Sequence, residues 1–110
     1  MSDTASADYL ELIDLSEDAR RELLALPEDV RDSFFRAFPA LADHPTGGAP
    51  GLDVQNLHDP SGRRIRYWRL KVPGGYRAIY RVIQGRVHID AIRPRPGPYS
   101  WRDKVLPRRR

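Results

Sequence analysis

The chain of 110 residues has room for one domain with one modest core, and an apolar share of 40% beside 31% charged residues excludes a disordered polymer. Cysteine is absent, no apolar run nears the ~18 residues of a membrane span, and the acidic start "MSDTASADYLELIDL" lacks the regions of a secretory signal; disulfides and thiolate metal sites are excluded and a cytoplasmic location is expected. The net charge of +4 hides a division, since residues 1–62 carry 4 basic and 13 acidic side chains and residues 63–110 carry 15 and 2.

In chain order, "YLELIDL" (residues 9–15) alternates as a short strand would. Ser16 then suits an N-cap, with Glu17 and Asp18 favoured in the first turn by the helix dipole. Ala19, Leu23 and Leu26 form the apolar stripe of a helix of about three turns, which Pro27 ends. Val30, Phe34, Ala37, Phe38 and Leu41 make the face of a second helix, expected to kink or shorten at Pro39 and to form an antiparallel hairpin with the first. Residues 44–62, rich in Gly and Pro, read as a loop that Leu52, Val54 and Leu57 could pin to the core.

"RIRYWRLKV", "YRAIYRVI" and "RVHIDAI" then read as three strands, joined by Pro73-Gly74-Gly75 and the tight turn Gln84-Gly85. With the first strand this predicts an α+β fold: an N-terminal strand and a two-helix hairpin on one face of a small, mainly antiparallel sheet. Residues 1–110 form one domain in this reading, with residues 1–7 and 102–110 as flexible tails.

A strand's period of two sorts the cations. Trp68, Leu70 and Val72 share a face with Tyr76, Ala78, Tyr80 and Val82 if these meet the helices. Arg69, Lys71, Arg77 and Arg81 then converge on the uncovered face, where like charges repel unless an anion sits among them. The alternative is that each arginine snorkels outward to a carboxylate of the acidic half. The last strand resists the scheme, because Val87, Ile89 and Ala91 oppose His88, Asp90 and Ile92. His88 lies either beside the cations or bonded near Asp90.

The order of strand, helix pair, Gly/Pro loop and "YWRLKVPGGYRAIYRVIQGRVHIDAI", followed by arginines and Tyr99, resembles the RelE/ParE superfamily of bacterial toxins over about residues 8–101. Its most specific piece is Gly75-Tyr76-Arg77-Ala78-Ile79-Tyr80, and its second is Arg93 to Tyr99. The resemblance implies a toxin inhibited by a cognate antitoxin. In RelE-type members, which cut mRNA in the ribosomal decoding site, the working residues correspond here to Arg69, Lys71, Arg77, Arg93 and Tyr99. Arg95 competes with Arg93, and Pro94 stands where a His is frequent. ParE-type members share the fold, lack much of that set and act on DNA gyrase.

Cleavage of RNA by its own 2′-OH needs a proton acceptor, charge stabilisation at phosphorus and a proton donor to the leaving 5′-oxygen. His44, His58 and His88 are scattered, so no metal or other cofactor is expected. Arginine keeps its proton, which makes Arg77 with Arg93 or Arg95 the phosphate clamps and Lys71 the better base. Tyr99 could position the 2′-OH, stack on a base or donate a proton, or simply close the sheet edge. Arg69, Arg81 and His88 would bind RNA around them. The expected function is a ribosome-dependent mRNA endoribonuclease toxin, partnered by an antitoxin with an acidic segment. The alternatives are a ParE-type toxin or an inactive nucleic-acid- or protein-binding module.

Overall fold

The computed structural model describes residues 11–94, so the expected tails, Arg95, Tyr99 and the basic end after it lie outside the described residues. Strand β1 (Ile13–Leu15) leads into helices α1 (Glu17–Leu24) and α2 (Glu28–Asp43), and strands β2 (Asp53–His58), β3 (Arg64–Val72), β4 (Tyr76–Ile83) and β5 (Arg86–Pro94) follow. The sheet order is β1-β5-β4-β3-β2, with β1 parallel to β5 and every other pair antiparallel. An α+β fold with both helices on a mainly antiparallel sheet is therefore what the chain adopts. No described helix is long and apolar enough to cross a membrane.

Local chemistry sets the boundaries. Ser16 caps α1: its Oγ accepts from the Ala19 N–H at 3.0 Å and donates to the Asp90 carbonyl at 3.0 Å, tying the helix start to β5. The helix ends at Leu24, sooner than the stripe suggested, although Leu26 still packs on the core. Pro39 does not shorten α2, which continues to Asp43. Proline removes one helical donor, and Pro39 sits on the exposed side, where water can serve the carbonyl left behind.

Two expectations fail. The N-terminal strand begins only at Ile13, and the presumed loop contains a fifth strand, β2. Glycines and prolines before Leu52 obscured an alternation that places Val54 on the helix side and Leu57 on the other. Asn56 secures this edge strand, its Nδ2 donating to the carbonyls of Ile65 at 2.9 Å and Tyr67 at 3.0 Å where the pairing with β3 shifts register.

The main core lies between helices and sheet. Ile13, Leu23, Phe34, Phe38, Leu41, Tyr80 and Ile89 are fully buried there. Trp68, Tyr76 and Val82 pack around them, as their strand phase requires. Tyr80 carries a hydroxyl inward and satisfies it by donating to the Pro45 carbonyl at 2.6 Å; burial pushes its pKa up. The position of Gly74 favours glycine, because φ 101° strains any side chain and an added Cβ would sit 3.0 Å from Val30 Cγ2.

The last strand resisted a single phase because it contains a bulge. Ile79 pairs with Ala91 but Tyr80 pairs with Ile89, which leaves Asp90 as an extra residue in β5. Val87 and Ile89 before it and Ile92 after it thereby all reach the helix side. Ala91 joins Ile79 and Leu57 in a second, smaller cluster on the opposite face, flanked by Ile65 and Tyr67.

Because Ser16 serves both helix and bulge, Ser16→Ala should cost about 0.5–2 kcal/mol, the range for losing such a cap. Urea denaturation should show a lower midpoint with an unchanged m-value.

Candidate anion-binding face

Register fixes which functional side chains meet on the face away from the helices. Asp53 pairs with Lys71, Lys71 with Arg77, and Arg77 with Arg93, so four strands contribute one lateral row containing three adjacent cations. The next row holds Gln55, Arg69, Ile79 and Ala91. Arg81 and His88 pair farther along, nearer the Gln84-Gly85 turn. Like charges directly opposite one another on paired strands are destabilising. An exposed ion pair returns only about 0–1 kcal/mol. Such a row favours negative charge placed among its members.

The cations differ in how they are held. Lys71 is exposed and joins none of the ion pairs among the described residues. Arg77 is half-buried at the centre of the row, with its Nε buried and making no hydrogen bond. Arg69 donates to Gln55 Oε1 at 2.6 Å and lies 3.6 Å from an Asp53 carboxylate oxygen. Arg93 Nη1 donates to Glu22 Oε2 of α1 and to the Ile92 carbonyl at 3.0 Å. Arg81 forms a two-pronged pair with Asp90, at 2.7 and 3.1 Å, and its pKa rises chiefly through that hydrogen bond. Among the described residues no three metal-ligating side chains gather as a metal would require.

With this geometry in hand, a family model described as the ParE toxin of the type II toxin-antitoxin system matches residues 1–96. The chain belongs to that family. No curated protein matches the sequence. Two solved structures share the fold. One is the RelB–RelE antitoxin–toxin complex from Methanococcus jannaschii, with TM-score 0.59 and 13% identity, covering 74% of this chain and 89% of that one. The other is the isolated E. coli RelE toxin, with TM-score 0.51 and 20% identity over 86% and 94% of the two chains. The family model thus places the chain among toxins of type II toxin-antitoxin systems, and the two solved structures show the shared fold.

Of the toxin's sequence-nominated residues, the sheet brings Lys71, Arg77 and Arg93 into one row and sets Arg69 beside them. Arg95 and Tyr99 lie outside the described residues. Arg81 is tied to Asp90. His88 faces the Asp14 carboxylate of β1, with Nδ1 3.3 Å from Oδ2. Sequence reasoning missed Asp53 and Gln55, because β2 read as loop, and Glu22, whose partner is about seventy residues away. The alternation in "DVQNLH" was the available signal for the first two. Nothing local marks Glu22.

Asp14 also takes a hydrogen bond from Arg86 Nε at 2.9 Å. That bond first, then the charges of Arg86 and His88, hold its carboxyl below the usual range against a partial desolvation that opposes them. A depressed carboxylate pKa gives stability that is present above the unfolded value and lost as pH falls through the folded one. Asp14→Asn should lower the urea midpoint near neutrality and flatten its decline below about pH 4. An acid limb identical to that of the unmodified toxin would remove the pair from this account.

Proposed function

We propose that this toxin is a metal-independent, ribosome-dependent mRNA endoribonuclease, and that the row of Lys71, Arg77 and Arg93 receives the scissile phosphodiester. The observation that carries the reading is the register, which sets an exposed lysine directly beside an arginine on the face that no described helix covers. Lys71 would accept the 2′-OH proton as that oxygen attacks the adjacent phosphorus. Arg77 and Arg93 would bind the non-bridging oxygens, whose charge grows in the transition state. Arg69, braced by Gln55, would contact the flanking phosphate chain. The 5′-oxygen then leaves with a proton, and Tyr99 is the candidate donor. Arg95 remains the alternative second clamp. Arg81 and His88 take a lesser part, because each already has a carboxylate.

The antitoxin partner would carry acidic residues onto the same row, masking it as the phosphate would occupy it. A second reading is ParE-type action on DNA gyrase through protein contacts. It is favoured by the family model's own description and by the pairing of Arg93 with Glu22.

Pulsed expression followed by primer extension separates the two readings. The nuclease reading expects cuts within translated codons. DNA damage with intact mRNA would favour gyrase. Lys71→Ala is expected to lower cleavage by about 10²–10⁴-fold, the usual worth of a general base. Arg77→Ala should likewise relieve growth arrest. Both variants should keep the parental circular dichroism spectrum, and full toxicity in both would exclude this site.

A further inference from the structure

Glu22 sits where β5 outruns its neighbour. β1 pairs only with Val87, His88 and Ile89, so among the described residues no strand lies beside the outer edge of β5 beyond the bulge. Helix α1 fills that gap with one side chain. Glu22 Oε1 accepts the Ile92 N–H at 2.8 Å, and Oε2 accepts from Arg93 Nη1. The first bond satisfies an edge donor that pairing would otherwise have used. The second has a different consequence, because Arg93 is the outermost cation of the row and its charge is met by an acid of the helical layer. The grip is partial. Both bonds from the guanidinium use Nη1, and Nε is buried without a hydrogen bond.

Building on the nuclease reading, we propose that Glu22 is a positioning residue that holds Arg93 at the sheet edge and neutralises it, so that Arg93 joins the anion site only when a phosphate displaces the carboxylate. Lys71 and Arg77 then provide the first attraction, and Arg93 is recruited by exchange of one acid for another. The pair is 22% exposed at Arg93 and 29% at Glu22, open enough for such an exchange. The bond to Ile92 can persist throughout, since it uses the other oxygen and does not depend on charge.

Glu22→Gln separates the two bonds. Its amide oxygen can still accept from Ile92 N–H, while the charge that holds Arg93 is gone. The test is binding of a labelled oligouridylate to the full chain across a salt series. With the displaced carboxylate no longer beside the phosphates, the site carries one more net positive charge, which should steepen the log–log salt slope by about 0.7. Between 50 and 200 mM salt, that adds about a threefold loss of affinity. Glu17→Gln changes net charge equally on the same helix and should leave the slope unchanged. Arg93→Ala in the Glu22→Gln background should return the slope to the parental value. A purely structural Glu22 would lower the unfolding midpoint with no change of slope, which would overturn the proposal. So would a steepening that Glu17→Gln reproduces or that survives Arg93→Ala. Failure of the unmodified chain to bind the oligonucleotide would sink the nuclease reading along with this one; binding with an unaltered slope sinks only this one.

Discussion

One extra residue in β5 governs what the rest of the sheet can present. Without the bulge at Asp90, alternation from Val87 would set Ile92 on the face opposite the core and turn Arg93 inward toward the apolar helices. With it, Ile92 is buried beneath α1 and Arg93 stands across from Arg77. The bulge is held from two sides: Asp90's carboxylate grips Arg81, and its carbonyl takes the Ser16 hydroxyl. A bulge interrupts ladder pairing and leaves backbone groups to be served elsewhere. Here the N-cap of α1 serves one of them. The helix start, the core and the basic row are thus set by one local irregularity.

The distribution of charge follows the same logic at larger scale. The acidic first half supplies the helices, β1 and β2, and the basic second half supplies the three central strands. Acids from the first half reach the second at defined places: Asp14 to Arg86, Asp53 to Arg69 and Glu22 to Arg93. All three lie toward the margins of the sheet. The centre holds Lys71, exposed and in none of these pairs, directly across from Arg77. Membership of the ParE toxin family gives this face a context, since a toxin must meet both a target and an antitoxin.

Much of the fold was legible from local signals. Ser16 before Glu17 and Asp18 marked a helix start, and the stripes through Leu23 and Phe34 marked buried faces. Strict alternation in β3 and β4 sorted Leu70 from Lys71 and Ala78 from Arg77, and the sheet keeps that division. What escaped was non-local. Alternation cannot reveal a bulge, because one added residue inverts the phase, and this is why Asp90, Ala91 and Ile92 defied assignment. The β2 strand escaped because turn residues before Leu52 outweighed a short alternating run. Glu22 escaped because its two partners lie on β5, a relation only tertiary packing creates. The basic row itself was half visible: its members could be named, but their order across four strands came from register.

The most direct measurement of that register uses the absence of native cysteine. A chain carrying Arg77→Cys and Arg93→Cys places two thiols on directly paired residues, whose Cα separation in an antiparallel ladder falls within the span of a disulfide. Mild oxidation should cross-link this pair rapidly and leave Arg77→Cys with Ile92→Cys largely reduced. The opposite preference would mean that β5 runs without its bulge, that Arg93 lies on the helix side, and that no row of three cations exists to hold an anion.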